Sequence, residues 1–352
     1  MIPTYLTKFG TVAAAAALAV SLAPTDADAQ ERVRWKLHSA YGTNLAVLGP
    51  VPGRIAEMVS KMSGGKFDIK VFEPGALVGG NAYYDPVSQG AFEIAYGTPG
   101  YHQGRDSTYN LFSSWPFGPG VGAYLAWFKH GGGYELAREL YAKDNIKFFM
   151  CGMIPPETSG WFRDEITSLD QLKGLKMRFF GMGALVMQKF GVSTQLLAAG
   201  DIYPALELGT IDATEFSMPA IDRSLGFYQI AKYNYFPGWH QQATTNEFLI
   251  NMDAWNALSP EYQAMFETAC DANFTAEFAE GENLQYQAML DNEADGVENK
   301  TWPPEILDQL RAAWDEVNAE EIAKNPLYAK VWESWATFEE KYRVWGDRGY
   351  LK

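Results

Sequence analysis

Apolar and polar positions along the first part of the chain alternate between strand-like and helix-like patterns. Residues 33–39 alternate with the period of two that is typical of a strand, and residues 52–62 are amphipathic with helical spacing. Strands are predicted over residues 33–39, 67–72, 92–98 and 146–153, and helices over residues 52–62, 83–89 and 123–141. The alternating order predicts a parallel sheet with right-handed crossovers.

A second unit of the same kind follows in the sequence. Its strands are predicted over residues 175–179, 192–197 and 213–217, and its helices over residues 184–190 and 201–208. Asp201 is the predicted N-cap of the latter helix, and Gly209 ends it. Residues 247–252 are predicted to be a strand that returns toward the first unit.

The last hundred residues are predicted to be mostly helical. Ser259 followed by Pro260 is typical of a helix start, and the helix is predicted to run past Leu290. Residues 304–344 form a further helical stretch. Because no Gly/Ser linker separates the units, the chain crosses between them on ordered segments, as in a hinged body with two lobes and a cleft.

The N-terminus has the pattern of a secretory signal. Lys8 precedes an apolar run over residues 12–23, and Ala27-Asp28-Ala29 matches the small-x-small cleavage pattern. Residues 1–29 are therefore predicted to be a signal peptide cleaved after Ala29, which indicates export. No later stretch has the roughly 20 apolar residues of a transmembrane helix.

Composition and charge narrow the function. The chain has 352 residues and a net charge of −15, and removal of residues 1–29 leaves 27 basic and 41 acidic residues, a net charge of −14. Such an acidic protein repels nucleic acid and anionic lipid. Cys151 and Cys270 could form a disulfide in an oxidising compartment, but their apolar surroundings favour two buried thiols.

Common catalytic motifs are absent from the sequence. It has no Gly-x-Ser-x-Gly elbow, no Walker loop, no His-Glu-x-x-His and no Cys-x-x-Cys. Gly131, Gly132 and Gly133 end a helix and do not follow a strand, so they indicate a turn and not a phosphate-binding loop. The four histidines show no metal-ligand spacing. These absences favour a protein that is not an enzyme.

Several sequence blocks are specific enough to indicate a family. They are Pro-Phe-Gly at 116–118, Gly-Trp-Phe at 160–162, Leu-Lys-Gly-Leu-Lys-Met-Arg at 172–178, Gly-Thr-Ile-Asp-Ala-Thr-Glu at 209–215 and Pro-Gly-Trp at 237–239. Together they resemble the extracytoplasmic solute receptors of TRAP (tripartite ATP-independent periplasmic) transporters. Within that family the chain is similar to the branch that binds 2-oxo and 2-hydroxy monocarboxylates, often named for mannitol or chloroaromatic compounds. The resemblance covers nearly all of the mature chain.

The resemblance implies a fold and a domain division. The expected fold is the α/β, two-lobe fold of periplasmic binding proteins, in which each lobe is a mixed sheet flanked by helices. The ligand lies in the cleft between the lobes, and a long helix spans the hinge. Residues 30–150 with about 246–280 are expected to form lobe I, residues 151–245 with about 281–340 lobe II, and residues 341–352 a C-terminal tail.

Arg178 is the predicted anchor of the ligand. It ends a strand in an apolar context, and ligands of open α/β sheets bind at the carboxyl ends of strands. A guanidinium group matches a carboxylate at two points. By resemblance, Arg178 is the family's carboxylate clamp. The alternative from the residues alone is an arginine on the surface.

The resemblance also implies a metal ion that bridges the ligand's carboxylate and its oxo or hydroxy oxygen. Glu157, Glu215, the backbone of Phe216, and Gln241 or a close neighbour occupy the family's ligand positions. Relatives in this branch carry Gln and Glu where this chain has Glu157 and Gln241, and Trp where it has Phe216. Two carboxylates and an amide are hard oxygen ligands that suit Na⁺ or Ca²⁺ and not Zn²⁺. No organic cofactor is expected. The alternative is that Glu157 lies in an exposed loop and binds nothing.

Aromatic residues cluster near the same segments, as in apolar pockets with a few polar groups. The cluster consists of Tyr101, Trp115, Trp161, Phe180, Phe216 and Trp239. Tyr101, Phe180 and Phe216 are the predicted pocket walls, and Trp239 is also predicted to contact the substrate.

The sequence thus predicts a periplasmic receptor that delivers a small organic acid, of the pyruvate or lactate class, to the membrane subunits of a TRAP transporter. One alternative is a periplasmic hydrolase that uses Glu157 and Glu215 as an acid/base pair. Another is a ligand sensor that acts with a signalling receptor. Some relatives dimerise through a long C-terminal helix, but Gly346 and Gly349 are predicted to break such a helix, which favours a monomer.

Overall fold

The strands of the protein form two sheets in a computed structural model that describes Met1 and residues 31–350. The predicted signal peptide, apart from Met1, lies outside the described residues. The first part of the chain contains β1 (Val33–Ser39), α1 (Pro50–Met62), β2 (Phe67–Phe72), α2 (Tyr84–Ser88), β3 (Ile94–Gly97), α3 (Val121–His130), α4 (Gly133–Ala142) and β4 (Ile146–Ile154).

The rest of the chain builds the second sheet, completes the first and ends in long helices. Its elements are β5 (Gly160–Phe162), β6 (Lys176–Arg178), α5 (Gly181–Lys189), β7 (Ser193–Gln195), α6 (Ala199–Glu207), β8 (Ala213–Thr214), α7 (Pro219–Ser224), β9 (Tyr233–Phe236), β10 (Thr244–Asn251), α8 (Met252–Asn256), α9 (Pro260–Ala294), β11 (Glu298–Thr301), α10 (Pro304–Lys324) and α11 (Pro326–Gly349).

Both sheets are mixed. Among the described residues the first has the order β2-β1-β3-β10-β4, and the second has the order β11-β9-β5-β8-β6-β7. β1 is parallel to β2 and β3, as the strand-helix alternation predicts, whereas β10 returns antiparallel between β3 and β4. In the second sheet β6 is parallel to β7 and β8. The predicted two-lobe α/β fold is confirmed, and the lobe boundaries stay a prediction.

Three segments connect the sheets. The chain leaves the first sheet between β4 and β5 and returns between β9 and β10. α9 is the third connection, because it packs on β4 and α1 at one end and on α7 and β11 at the other. Its start is as predicted, since the Ser259 side chain accepts a hydrogen bond from the backbone N–H of Tyr262. α9 is thus the long helix that spans both lobes.

The two cysteines are not buried thiols, and the prediction that they are was wrong. Cys151 of β4 and Cys270 of α9 form a disulfide, with their Cα atoms 4.3 Å apart. β4 and α9 pack side by side, and this contact joins residues 119 positions apart in the sequence. Apolar surroundings are common to buried thiols and buried disulfides, so the local pattern could not distinguish them.

Three predicted helix features are also wrong. The helix predicted over residues 123–141 is two helices, because Gly132 has a φ of 93° and changes the chain direction. Asp201 lies inside the first turn of α6, not at its N-cap, because the extended residue Ala198 starts the helix earlier. α11 continues through Gly346 to Gly349, because one glycine costs a helix only about 1 kcal/mol. The predicted tail is therefore helical over most of its length.

A buried carboxylate ties α9 to the first sheet. Glu277 accepts hydrogen bonds from Asn246 of β10 and, at 3.2 Å, from Asn273. It fills the space over Gly152, where a Cβ atom would come within 1.7 Å of Glu277 Oε2. Burial raises the pKa of Glu277 to about 8, against the opposing effects of Asn246 and the Arg54 guanidinium.

This raised pKa predicts a pH-dependent contribution to stability. Because the folded chain holds the Glu277 proton more tightly than the unfolded chain, the contribution is complete below about pH 4.5 and is lost as the pH rises through about 8. The slope is up to about 1.4 kcal/mol per pH unit. We expect the free energy of unfolding of Glu277→Gln, measured by urea titration, to fall less steeply over this range than that of the unaltered protein. Glu282→Gln, on the same helix but exposed, should keep the original slope. Parallel curves for Glu277→Gln and the unaltered protein would contradict the prediction.

Candidate ligand and metal site

The site is built first by neighbouring strands of the second sheet. β6 and β8 are parallel, with Arg178 opposite Thr214, so that Arg178 and Glu215 leave the sheet side by side. Arg178 Nη1 donates to the Glu215 backbone carbonyl at 2.6 Å and to Glu215 Oε1 at 2.7 Å. The backbone N–H of Phe180 donates to the same carboxylate oxygen. Both charged side chains are almost completely buried, at 1% and 0% exposure.

The two strand connections bring the remaining polar groups to this pair. Glu157 lies between β4 and β5, and its backbone N–H donates to the Gln241 carbonyl, between β9 and β10, at 3.2 Å. Gly238 allows this close approach, because a Cβ atom there would lie 2.1 Å from the Glu157 carbonyl oxygen. The connections therefore place Glu157 and His240 beside Glu215, with Gln241 next to Glu157.

Glu157 is buried, contrary to the alternative that it lies in an exposed loop. Its Oε1 accepts long hydrogen bonds of 3.4 Å from the hydroxyls of Ser217 and Thr244. Burial raises the pKa of Glu157 well above its usual range, and the nearby carboxylates of Glu215 and Asp222 add to this effect.

Glu215 has the opposite electrostatic surroundings. Burial alone would raise the pKa of Glu215, but the Arg178 guanidinium, the His240 imidazole and the Phe180 N–H together hold it below its ordinary value. The two neighbouring glutamates therefore differ in role, since Glu215 is paired and charged whereas Glu157 lacks a cation of its own.

Four buried side-chain atoms of these residues have no hydrogen-bond partner among residues 31–350. They are Glu157 Oε2, Glu215 Oε2, His240 Nε2 and Gln241 Oε1. His240 Nε2 lies 3.4 Å from Glu215 Oε2 and 3.8 Å from Glu157 Oε2. Ligand atoms of Glu157, Glu215 and His240 all lie within 4.8 Å of one another. Because unpartnered buried polar atoms are costly, this donor set fits a bound cation.

Two of these residues, Glu157 and Gln241, line a small cavity of about 20 Å³, which has room for about one water molecule. Its walls come from both lobes. The lining residues are Tyr41, Leu48, Thr98, Tyr101, Ile154, Glu157, Arg178, Phe180, Phe216, Ser217, Gln241, Thr244 and Asn246. Tyr101 contacts Phe180 edge to face at 5.5 Å, and Tyr41 contacts Phe216 at 6.4 Å.

The aromatic predictions have mixed outcomes. Tyr101, Phe180 and Phe216 line the cavity as expected, but Trp239 does not; it lies in a separate, open surface pocket with Phe117 and Arg311. Trp115 and Trp161 are core residues. Trp161 donates its indole N–H to Asp222 at 2.8 Å.

Sequence reasoning did not single out His240 or Asp222. Asp222, on α7, accepts from the backbone N–H of Ser217 at 2.9 Å and so fixes the segment after Glu215. Burial raises the pKa of Asp222 to about 7, although the Trp161 hydrogen bond opposes this. His240 directly follows the Pro-Gly-Trp block, and its position there was the signal available in the sequence.

The fold and the closed, polar site between two lobes define a solute-binding protein. Residues 51–325 match the family described as bacterial extracellular solute-binding protein, family 7 (DctP). The chain therefore belongs to this family, and its predicted resemblance to TRAP solute receptors is confirmed. No helix within the described part of the chain is both long and apolar enough to span a membrane.

Similar proteins include receptors with known ligands. The chain is 33% identical over 314 residues, 89% of its length and 86% of the relative's, to a monocarboxylate 2-oxoacid-binding periplasmic protein of Nostoc sp. strain PCC 7120. A TRAP solute-binding protein of Bordetella bronchiseptica RB50, solved as a dimer with copurified calcium and picolinate, has a TM-score of 0.87 and 34% identity, covering 90% of this chain and 94% of that one. A homologous protein of Pseudoalteromonas atlantica T6c, solved with sodium and pyruvate, has a TM-score of 0.84 and 31% identity, covering 90% and 96%.

We expect the same substitution, glutamate to glutamine, to change the free energy of unfolding in opposite directions at Glu157 and at Glu215. In chelator-treated protein at neutral pH, Glu157→Gln should raise the free energy of unfolding by about 1–3 kcal/mol, because it removes a buried carboxylate that faces Glu215. Glu215→Gln should lower it by about 3–5 kcal/mol, because it leaves the Arg178 guanidinium buried without its partner. Chemical denaturation measures both. A loss of stability in Glu157→Gln comparable to that in Glu215→Gln would show that Glu157 is a structural residue.

Proposed function

We propose that this protein is the periplasmic receptor of a TRAP transporter and that it binds a small 2-oxo or 2-hydroxy monocarboxylate, such as pyruvate or lactate, together with a metal ion. The observation that carries the proposal is a group of four buried side-chain atoms without a hydrogen-bond partner, of Glu157, Glu215, His240 and Gln241. Two of these residues, Glu157 and Gln241, line a small cavity together with Arg178. The ligands of the similar proteins support the same class of solute.

Arg178 would hold the ligand's carboxylate. Its Nη1 is occupied by Glu215, and its Nε donates to the Leu197 carbonyl at 3.4 Å. No hydrogen bond to another described residue uses Nη2, which leaves this N–H group for a ligand in the cavity that Arg178 lines. A charge-assisted hydrogen bond in a buried site is stronger than the same bond in water.

The charges in the site favour a second cation. Glu215 already balances Arg178, so the carboxylate of a bound ligand and any charge on Glu157 would be buried without compensation. Such a charge is expensive in a protein interior. A metal ion held by Glu157, Glu215, Gln241 and the Phe216 backbone would supply positive charge and attract the ligand's oxygens. No organic cofactor is required.

Closure of the lobes would then trap the ligand. Tyr101 and Tyr41 belong to the first lobe, and they contact Phe180 and Phe216 of the second lobe over the cavity. Gly100 permits this contact, since a Cβ atom there would lie 2.2 Å from the Phe180 ring. The closed shape is the form that the membrane subunits of the transporter would recognise.

The protein performs no catalysis in this account. A hydrolase using Glu157 and Glu215 would need an acid and a base separated by the substrate. Instead, Glu215 forms an ion pair with Arg178, and both carboxylates face the same imidazole.

We also propose residues 30–150 with about 246–280 as lobe I and residues 151–245 with about 281–340 as lobe II. The oligomeric state, monomer or dimer, stays a prediction. The argument for a monomer was the predicted helix break at Gly346 and Gly349, and α11 continues through Gly346 to Gly349.

Substitution of Arg178 tests the ligand anchor. We expect pyruvate and lactate to raise the thermal unfolding midpoint of the protein when a divalent ion is present. Arg178→Ala should abolish this shift, because it removes the only buried guanidinium among the described residues that line the cavity. Arg178→Lys, which keeps the charge that Glu215 needs, should retain the fold but bind at least about tenfold more weakly. Arg343→Ala, on the exposed face of α11, is the control. Full retention of the shift in Arg178→Ala would remove Arg178 from the site.

A further inference from the structure

A second cavity opens on the surface of the described part of the chain. It has a volume of about 450 Å³, within the range of pockets that hold small ligands. Its lining shares no residue with that of the small cavity beside Arg178. Three segments form its walls: the loop before α3, the connection between β9 and β10, and the first turns of α10. The two cavities are therefore separate sites.

Two aromatic rings form the apolar side of this second cavity. The ring centroids of Phe117 and Trp239 lie 5.9 Å apart, and their planes are 32° from parallel. The Phe117 backbone N–H donates to the Trp239 carbonyl at 2.6 Å, and the φ of Phe117 is 53°, which is rare for a bulky residue. Pro237, Pro304 and Leu307 complete the apolar lining. The backbone thus holds the two rings together as a wall for an apolar group.

Two opposite charges on α10 line the same cavity. The Arg311 guanidinium lies over the Phe117 ring, 4.0 Å from its centroid. Asp308 precedes Arg311 by three residues, a spacing at which opposite charges on a helix commonly pair. Here neither side chain forms a hydrogen bond or an ion pair with another residue among 31–350. Both charges therefore stay available to a ligand.

These groups define the chemistry of the ligand. A guanidinium matches a carboxylate at two points, and the Asp308 carboxylate attracts an ammonium group. Residues three apart on a helix have Cβ atoms about 5–6 Å apart, so both side chains can contact one small molecule. A simple anion would also meet the Asp308 carboxylate, and a simple cation would meet the Arg311 guanidinium. A zwitterion with an apolar body satisfies both charges and the aromatic wall.

We propose that the second cavity binds a free amino acid with an apolar side chain, such as phenylalanine or leucine. Arg311 holds the carboxylate, Asp308 holds the ammonium group, and the side chain packs on Phe117 and Trp239. A peptide carries its two terminal charges on different residues, so the free amino acid is the form that fits. The inference does not rest on the proposed function, because other residues hold the organic acid.

The first test compares ligands. Saturation-transfer NMR with the full-length protein should give L-phenylalanine a dissociation constant of about 1 mM or tighter. L-Phenylalaninamide lacks the carboxylate, N-acetyl-L-phenylalanine lacks the ammonium group, and L-serine lacks the apolar side chain. Each should bind about fivefold more weakly or worse. No binding of phenylalanine or leucine at about 10 mM, or equal binding of phenylalanine and its two derivatives, would overturn the inference.

The second test compares variants. Arg311→Gln and Asp308→Asn each remove one charge at similar size, and each should weaken phenylalanine binding about fivefold or more. Asp315→Asn, also exposed on α10, and Arg343→Gln, exposed on α11, are the controls and should bind like the unaltered protein. The thermal unfolding midpoints of all four should stay close to that of the unaltered protein, because the side chains are exposed. Unchanged phenylalanine affinity in Arg311→Gln and Asp308→Asn would contradict the proposed site.

A third variant separates the second cavity from the buried site. Phenylalanine also carries a carboxylate, so Arg178→Lys shows whether it binds at the buried site instead. We expect Arg178→Lys to keep the phenylalanine affinity of the unaltered protein while it weakens pyruvate binding. Loss of phenylalanine binding in Arg178→Lys would overturn the inference and leave the receptor function standing. Phenylalanine binding without any stabilisation by pyruvate or lactate would support the second site and contradict the proposed ligand class.

Discussion

The balance of charge in one buried site governs the structure between the lobes. Two carboxylates and one guanidinium lie in a closed space, and the guanidinium is already paired with Glu215. Burial raises the pKa of Glu157, which is the sign of a group whose charge has no local compensation. A protein can keep such an arrangement when a bound ligand and a cation complete it. The empty site lowers the stability of the folded protein, and binding of the ligand and the cation raises it again.

The fold assembles this site from segments that have little else in common. The parallel register of β6 and β8 sets Arg178 beside Glu215, and the two strand connections between the sheets supply Glu157 and His240. Groups on the segments between the sheets thus meet groups at the ends of β6 and β8.

Features encoded in adjacent residues could be predicted from the sequence, and features that depend on distant contacts could not. The parallel strands, the N-cap at Ser259 and the placement of Arg178 and Glu215 at strand ends follow from local patterns and the family blocks. The disulfide depends on the contact of β4 with α9, which joins distant parts of the chain. His240 was missed because its two carboxylate neighbours come from other segments of the chain.

The most direct measurement of the central claim is a crystal structure of the protein grown with pyruvate and Ca²⁺, with long-wavelength diffraction data that locate calcium by its anomalous scattering. The account predicts a calcium peak beside Glu157 and Glu215, with the pyruvate carboxylate on Arg178 and a pyruvate oxygen near the ion. Pyruvate bound away from Arg178, or an ion-free site in which the four unpartnered atoms have found partners within the protein, would contradict it.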